Sequence, residues 1–252
     1  MQTLTKISVL AYKTSHISSK LLRDELQEIL KEKIGLTRFP EKIRGKVIRY
    51  GNSSPINVED YNLNSPEFIK LCSNKLLFSR LMNENEIYTP IYRKDRDLTF
   101  PLLVRTNLSL SRGRGISIIK DEDEFNNIWK DNFYWTPYIF TQFELRVHIL
   151  GGEIKKIFKK IPINDLGELP LRNNEFCHFS LKDSKHYPKL KELVGKFSSL
   201  FGENFYCALD IGWDANKKDY FIFEANSAPG LNVNTVKLYA EFISNKILES
   251  GN

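Results

Sequence analysis

The feature that most constrains the fold is a pair of apolar runs near the C-terminus, separated by a short polar segment. The runs cover residues 206–211 and 220–223, and residues 214–219 between them consist of turn-forming and charged side chains. Two apolar runs around a polar tip are typical of a β-hairpin. The C-terminal part of the chain is therefore expected to contain two neighbouring antiparallel strands.

The register of this hairpin brings polar side chains together. If the tip lies near Lys217, antiparallel pairing sets Asp210 opposite Glu224, and Asn226 shares the face of Glu224 because strand side chains alternate. We expect no basic side chain on that face to pair with the two carboxylates. Hard oxygen ligands of this kind suit Mg²⁺. The alternative is a hairpin that carries acids by chance.

Composition limits the class of protein. The 252 residues are 41% hydrophobic and 27% charged, which is typical of a globular protein with one large domain or two or three lobes. No apolar run reaches the roughly 20 residues that span a membrane, and the N-terminus does not resemble a signal peptide. The three cysteines are scattered, as expected for reduced thiols in a cytoplasmic protein. A net charge of +6 favours an anionic partner: a nucleotide, a phosphorylated substrate or nucleic acid.

The first part of the chain has a β-α-β pattern. Strands are predicted at residues 7–12 and 46–50, and a helical repeat of leucines occurs between Leu21 and Leu30. Ser18 or Ser19 is predicted to cap this helix. The order predicts a small open parallel sheet.

The remaining elements alternate between helices and strands. In chain order they are a helix that begins at Pro66, a helical pattern through 76–82, strands at 99–105 and 116–119, a short helix at 122–129, a hairpin of strands 141–150 and 153–161, a helix at 187–201, the hairpin described above, and a helix at 235–249. A polar, glycine-containing loop joins strands 99–105 and 116–119. Such a loop is a candidate phosphate cradle.

Short motifs occur in a fixed order along nearly the whole chain. They are Gly51-Asn52-Ser53, Ser73-Asn74-Lys75, Pro101 to Arg105 with Gly113 to Ile116, Phe143 to His148, Leu171-Arg172-Asn173, Asp210, and Glu224 to Leu231. Together they resemble the ATP-grasp superfamily, and more closely the ATP-grasp proteins encoded in many bacteriophage genomes.

The resemblance implies an α/β protein with an ATP-grasp fold. Residues 1–60 would form a small N-terminal α/β lobe, the pre-ATP-grasp lobe. Residues 61–140 would form the central lobe with the phosphate loop, and residues 141–252 the C-terminal lobe with the metal site. ATP would be held between the central and C-terminal lobes, and a phage-encoded protein of this kind would act in the host cytoplasm.

The resemblance also implies a reaction. ATP would bind with one or two Mg²⁺ ions, for which Mn²⁺ can substitute. A substrate carboxylate would attack the γ-phosphate to give an acyl phosphate, and an amine would then displace phosphate. Such chemistry depends on positioning and charge neutralisation. The donor and acceptor would be amino-acid or peptide-like, or the acceptor would be a macromolecule such as modified DNA. The short N-terminal lobe would leave an open acceptor pocket.

The resemblance assigns roles to individual residues. The metal ligands would be Asp210, Glu224 and Asn226. Lys75 would bind the phosphates of ATP, as would Arg105, where most of the superfamily has lysine. Ser111, Gly113 and Gly115 would lie in the loop over the phosphates. The backbone of Tyr138 and Ile139 would read adenine, and Glu144 would accept hydrogen bonds from the ribose hydroxyls. The catalytic residues would be Arg146 and Lys160, the latter in preference to Lys159. Arg172 and Asn173 would also be catalytic and face the acceptor or the acyl phosphate; the alternative is that they form a structural turn.

Two other functions remain open on the sequence. One is a non-catalytic nucleotide- or nucleic-acid-binding module, which Arg105 and the compact first lobe favour. The three converging metal ligands argue against it, because a binding module has no need of them. The other is a kinase with the same fold, which would phosphorylate an acceptor and stop.

Overall fold

The structure is a computed structural model that describes residues 7–106, 115–163, 177–183 and 187–250. These residues form a mixed α/β fold with three β-sheets and six α-helices. None of the described helices is long and apolar enough to cross a membrane.

The first sheet contains the N-terminal strands. Its strands are β1 (Ile7–Ala11), β2 (Gly35–Thr37) and β3 (Lys46–Tyr50), and β1 lies in the middle with both neighbours parallel to it. The predicted parallel sheet is confirmed, and the short strand β2 was not predicted. Helix α1 (Ile17–Leu30) connects β1 to β2.

The predicted cap of α1 is wrong. His16 is the N-cap, and its Nδ1 accepts a hydrogen bond from the Ser18 backbone N–H at 3.3 Å. Ser18 and Ser19 lie buried inside the first turn. Their hydroxyls bond elsewhere: Ser18 accepts from the distant Leu231 N–H, and Ser19 donates to the Lys13 carbonyl six residues earlier. Local capping preference therefore gives way to packing between distant parts of the chain.

The second sheet is small and antiparallel. Its strands are β4 (Leu102–Arg105), β5 (Ile116–Ile119) and β6 (Tyr134–Pro137), in the order β5-β4-β6. Helix α4 (Glu122–Ile128) packs against it through Phe125. Asp121 caps this helix by accepting from the Glu124 N–H. The sheet thus has its own small apolar core.

The third sheet has five antiparallel strands. They are β7 (Thr141–Leu150), β8 (Glu153–Pro162), β9 (Cys177–Lys182), β10 (Tyr206–Asp214) and β11 (Asp219–Asn226), and their order is β11-β10-β7-β8-β9. Both predicted hairpins are confirmed, and β9 was not predicted. We call this the large sheet.

One face of the large sheet is apolar and covered by helices. Helices α2 (Pro66–Ser73), α3 (Lys75–Glu84) and α5 (Pro188–Ser199) share a core with alternate residues of β7 and β10, such as Val147 and Leu209. The last helix, α6 (Val233–Glu249), instead packs with α1 and the first sheet. On the opposite face of the large sheet, Leu150 and Tyr206 pack with α6 at one end, and polar side chains occupy the other end.

Candidate active site

The polar face of the large sheet is organised by strand register. Asp210 on β10 is opposite Glu224 on β11, as predicted, and opposite Arg146 on β7. In the next row, Glu144 on β7 is opposite Lys160 on β8. A β-bulge after Asp210 shifts the following pairs of the hairpin by one residue without disturbing the Asp210–Glu224 pair.

A buried ionic cluster results from this register. Arg146 donates from Nε to Asp210 Oδ1 and from Nη2 to Asp210 Oδ2, both at 2.8 Å. Lys160 Nζ lies 3.2 Å from Asp210 Oδ2 and 3.2 Å from Glu144 Oε2. All four residues are at most 8% exposed. The expectation that no basic side chain lies on this face is therefore wrong.

The ionic cluster keeps its members charged. Burial by itself raises the pKa of Asp210, but Arg146 and Lys160 outweigh this and hold the pKa well below its usual value. Burial likewise lowers the pKa of Lys160, but Asp210 and Glu144 outweigh it, so the net shift is upward. Ion pairs with several hydrogen bonds commonly offset the desolvation cost in this way.

A second ion pair lies beside the cluster. Lys75 Nζ is 2.9 Å from Glu224 Oε2, and the side chain of Glu224 is 27% exposed. Asn226 Nδ2 donates to Glu224 Oε1 at 3.4 Å. Lys75 is the first residue of α3, where the Asn74 side chain caps the helix. The helix start thus delivers a cation to the end of the hairpin.

The charges of the site balance. Lys75, Arg146 and Lys160 face three carboxylates, those of Glu144, Asp210 and Glu224. These six paired side chains carry no net formal charge, so they offer a bare anion or a bare cation little long-range attraction. A ligand with both signs, such as a nucleotide with its metal ion, can instead exchange partners with each pair.

The oxygen atoms at the hairpin end suit a hard cation. Within the described residues, no group of three His, Cys, Asp or Glu side chains is placed to hold a metal ion. The candidate metal ligands are the carboxylates of Asp210 and Glu224 and the side-chain amide oxygen of Asn226. Among the described residues, Arg146 Nε is the only hydrogen-bond donor to Asp210 Oδ1. A carboxylate oxygen can accept more than one partner, so Oδ1 can also bind a cation. This donor set fits Mg²⁺ that brings phosphate oxygens with it.

Solved structures share this arrangement of elements. One is the RimK domain protein ATP-grasp from Sphaerobacter thermophilus, at a TM-score of 0.66 and 12% identity over 94% of this chain and 98% of that one. Another is D-alanine–D-alanine ligase from Bacillus anthracis, at a TM-score of 0.67 and 14% identity over 98% of this chain and 97% of that one. A third is the ATP-grasp ligase PsnB in complex with a minimal precursor, Mg and ADP. Its TM-score is 0.65, and its identity is 10% over 98% of this chain and 99% of that one.

The chain has an ATP-grasp fold. No protein-family model matches the sequence, and no curated protein is similar to it. At this level of identity the likeness establishes the fold alone, so the reaction has to be argued from the site.

Arg105 is the last residue of β4 in the second sheet, next to the predicted phosphate loop. Its guanidinium is 5.8 Å from the centre of the Tyr92 ring, and its buried Nε has no hydrogen-bond partner among the described residues. Burial raises the pKa of Tyr92, the Arg105 charge opposes this rise, and the Glu224 charge adds to it. Tyr92 is thus within electrostatic range of both Arg105 and Glu224. Tyr92 was not predicted, because no motif marks it.

The rest of the predicted phosphate loop is described only at its end. Gly115 has a positive φ of 67°, and its carbonyl accepts from the Thr106 N–H at 3.0 Å. Ser111 and Gly113 lie outside the described residues. Arg172 and Asn173 also lie outside them.

The predicted adenine-reading segment connects two sheets. The Tyr138 N–H donates to the Pro101 carbonyl at 3.0 Å, and the Ile139 carbonyl accepts from the Thr141 hydroxyl at 3.0 Å. These bonds fix the path from β6 to β7, the strand that carries Glu144. The segment is thus placed between the second sheet and the ionic cluster.

A buried histidine lies on the same face as Arg146. His148 Nδ1 is 2.9 Å from the Tyr239 hydroxyl, which donates to the Cys207 carbonyl at 3.0 Å. Because that hydroxyl has one proton, His148 donates to it from Nδ1–H. Burial and the Arg146 charge lower the pKa of His148 to about 3, so the ring is neutral near pH 7. Its even spacing from Glu144 and Arg146 along β7 is the sequence signal for this position.

Proposed function

We propose that the protein is an ATP- and Mg²⁺-dependent ligase that activates a carboxylate as an acyl phosphate and joins it to an amine. The observation that carries this proposal is the buried set of paired cations and carboxylates on the polar face of an ATP-grasp sheet. Burying charges is costly, and buried clusters with strongly shifted pKa values are found preferentially at functional sites.

The cations of the site would bind the phosphates of ATP. Lys75 comes from the start of α3, Arg105 from the end of β4, and Arg146 and Lys160 from the large sheet. We infer that they approach a common space from different elements, which suits a triphosphate. Arginine at 105 can make two parallel hydrogen bonds to a phosphate, so it can serve where lysine is usual. Ser111, Gly113 and Gly115 would cover the phosphates from the loop after β4.

The carboxylates released from these pairs would hold the metal. Asp210, Glu224 and Asn226 would bind one or two Mg²⁺ ions. When bound there, Mg²⁺ would neutralise charge on the β- and γ-phosphates. The exchange of partners conserves the number of ionic contacts, because each cation leaves a carboxylate for a phosphate oxygen.

The remaining nucleotide contacts follow the chain into the large sheet. Tyr138 and Ile139 would read the adenine edge with backbone groups, and Glu144 would accept from the ribose hydroxyls. The lobes proposed for this arrangement are residues 1–60, 61–140 and 141–252. The relation to phage-encoded proteins stays a hypothesis.

The reaction would have two steps. A carboxylate oxygen of the substrate attacks the γ-phosphorus, and ADP leaves. The amine nitrogen then attacks the acyl carbon, the C–O bond to phosphate breaks, and the amine loses a proton. Arg146 and Lys160 are 8% and 4% exposed, so their charge acts on the transferring group in a site poor in water. Arg172 and Asn173 would orient the acceptor.

The similar structures support this class of reaction. They include a D-alanine–D-alanine ligase and an ATP-grasp ligase in complex with a minimal precursor, Mg and ADP.

The proposal is tested by nucleotide turnover. ADP and phosphate release with Mg²⁺ are measured against a panel of carboxylates and amines, and hydroxylamine is added to trap an acyl phosphate as a hydroxamate. Glu224→Gln should abolish turnover while the protein stays folded. Asp219→Asn is the matched control, because Asp219 is an exposed carboxylate at the other end of the same strand.

The outcomes separate the candidate functions. Hydroxamate formation and amine-dependent phosphate release in wild type and Asp219→Asn, but not in Glu224→Gln, support a ligase. ADP release with a hydroxyl acceptor and no hydroxamate indicates a kinase. ATP binding without turnover indicates a binding module, and failure to bind ATP refutes the nucleotide site.

A further inference from the structure

The loop that follows β11, residues 227–231, is held by the N-terminal sheet. The Leu231 N–H donates to Ser18 at 2.9 Å, and the Tyr50 hydroxyl donates to the Pro229 carbonyl. Gly51 approaches so closely that a Cβ built on it would lie 2.6 Å from the Ala228 Cβ. The loop begins one residue after Asn226, so this contact places the first sheet beside the proposed metal site.

Apolar side chains around this loop are exposed to solvent. Tyr12 is 46% exposed, Ile17 is 66% exposed and Val233 is 65% exposed. Tyr12 borders the Gly51 contact, and Ile17 and Val233 are the first residues of α1 and α6. A Cβ built on Gly230 would meet nothing within 4 Å, so the loop itself faces open space. Exposed apolar residues gathered beside a site commonly mark a binding surface.

The charge of this region has one sign. Residues 12–20, 51–58 and 227–240 contain three lysines and no aspartate or glutamate; the lysines are Lys13, Lys20 and Lys237. Lys156 adds a fourth cation, since its Nζ donates to the Asn234 carbonyl at 3.3 Å. The nearest acidic residues along the two helices, Asp24 and Glu241, come one turn further from the loop. We call the surface formed by Tyr12, Ile17, Val233, Lys13, Lys20 and Lys237 the rim.

We propose that the rim binds an acidic peptide segment with apolar residues, which supplies the carboxylate that the ligase activates. This inference rests on the proposed function. A carboxylate donor is anionic, and the three stretches that form and flank the rim contribute lysines but no aspartate or glutamate. Acidic residues of the segment pair with the lysines, while its apolar side chains cover Ile17 and Val233.

A peptide fits the rim better than nucleic acid does. Single-stranded nucleic acid is bound largely by stacking of bases on aromatic rings. The rim offers one aromatic ring, Tyr12, and two aliphatic side chains. Aliphatic contacts spread over two helix starts and a loop match the side chains of an extended peptide.

The test is peptide binding in the absence of ATP. The probe is a fluorescein-labelled dodecapeptide of four Glu-Leu-Gly repeats, and its binding is followed by fluorescence anisotropy. Three charge reversals in the rim, Lys13→Glu, Lys20→Glu and Lys237→Glu combined, should weaken binding about tenfold. The matched control reverses three exposed lysines on the helix-covered side, Lys70, Lys191 and Lys218, and should bind as wild type does.

Further probes decide what the rim recognises. A dodecapeptide of Lys-Leu-Gly repeats should not bind, and Ile17→Ser with Val233→Ser should weaken binding of the acidic peptide. The proposal is overturned by equal weakening in the control triple variant, by a lack of binding to wild type, or by tighter binding of a single-stranded DNA dodecamer that the rim reversals abolish.

The failure of this proposal is distinguishable from failure of the ligase proposal. Glu224→Gln should bind the acidic peptide as wild type does, because the rim does not include the metal ligands. Carboxylate-dependent ADP release with no peptide binding refutes the peptide-binding proposal and supports the ligase proposal. Peptide binding at the rim without any turnover refutes the ligase proposal and supports the rim as a binding surface.

Discussion

Asp210 and Glu224 are both proposed metal ligands, yet we expect them to contribute differently to the stability of the folded protein. The side chain of Asp210 is 8% exposed and receives three hydrogen bonds from Arg146 and Lys160. The side chain of Glu224 is 27% exposed and pairs with Lys75 alone among the cations of the described residues. We therefore expect Asp210→Asn to destabilise the protein strongly and Glu224→Gln to change its stability little.

The size of the difference follows from burial. Removing one partner of a buried ion pair costs about 3–5 kcal/mol, because the other charge is left without compensation. Lys160 keeps Glu144, which favours the lower part of this range. A more exposed pair such as Lys75–Glu224 contributes about 0–1 kcal/mol. For a chain of this size, 1 kcal/mol corresponds to about 2–4 °C in Tm, so Asp210→Asn should melt about 6–20 °C below wild type.

The assay is thermal unfolding followed by circular dichroism at pH 7 without nucleotide. The folded-state pKa of Asp210 is lowered, so its contribution is complete above about pH 4, its ordinary pKa, and is lost on further acidification. Glu224→Gln should melt within about 4 °C of wild type, and Asp219→Asn serves as the exposed control. An Asp210→Asn protein as stable as Glu224→Gln would refute the reasoning. It would mean that the cluster contributes no net stability.

Two further predictions concern residues that support the site. His148 stays neutral in the folded protein because its pKa is lowered to about 3, so the unfolded chain alone gains a proton between pH 6.5 and 5. Between pH 7 and pH 5, the free energy of unfolding of wild type should therefore fall by about 2 kcal/mol more than that of His148→Gln. Urea titrations at the two pH values measure this difference, and an equal fall in the two proteins would contradict it. Asn64 is fully buried with a φ of 58°, accepts from the Tyr206 N–H and donates to the Ser227 carbonyl. Asn64→Ala should be about 1 kcal/mol less stable than Asn64→Gly, because alanine is strained in the left-handed region, and an alanine variant at least as stable as glycine in urea would count against it.

Much of the fold was readable from local patterns. The hairpin of β10 and β11 and that of β7 and β8 follow from apolar runs around turn residues, and the Asp210–Glu224 register follows from the position of the tip. Strand β9 was missed although His178, Ser180 and Lys182 alternate with less polar residues. Its six residues are too few for alternation alone to distinguish a strand from a loop. Strand β2 is shorter still.

Other features depend on partners that are distant in the sequence. Ser18 looked like a helix cap, but its hydroxyl is taken by the Leu231 N–H, more than two hundred residues away. Tyr92 and Arg105 meet through the packing of a loop on a sheet, and no spacing rule connects them.

The sequence by itself determined which acidic residues face each other, because strand alternation and turn position are local properties. Only the tertiary structure decided that these acids are paired with Arg146, Lys160 and Lys75. Strand order places β7 beside β10, and helix packing places the start of α3 at the end of β11. Both are set by the burial of a shared apolar core, a sum over the whole chain that no single segment encodes.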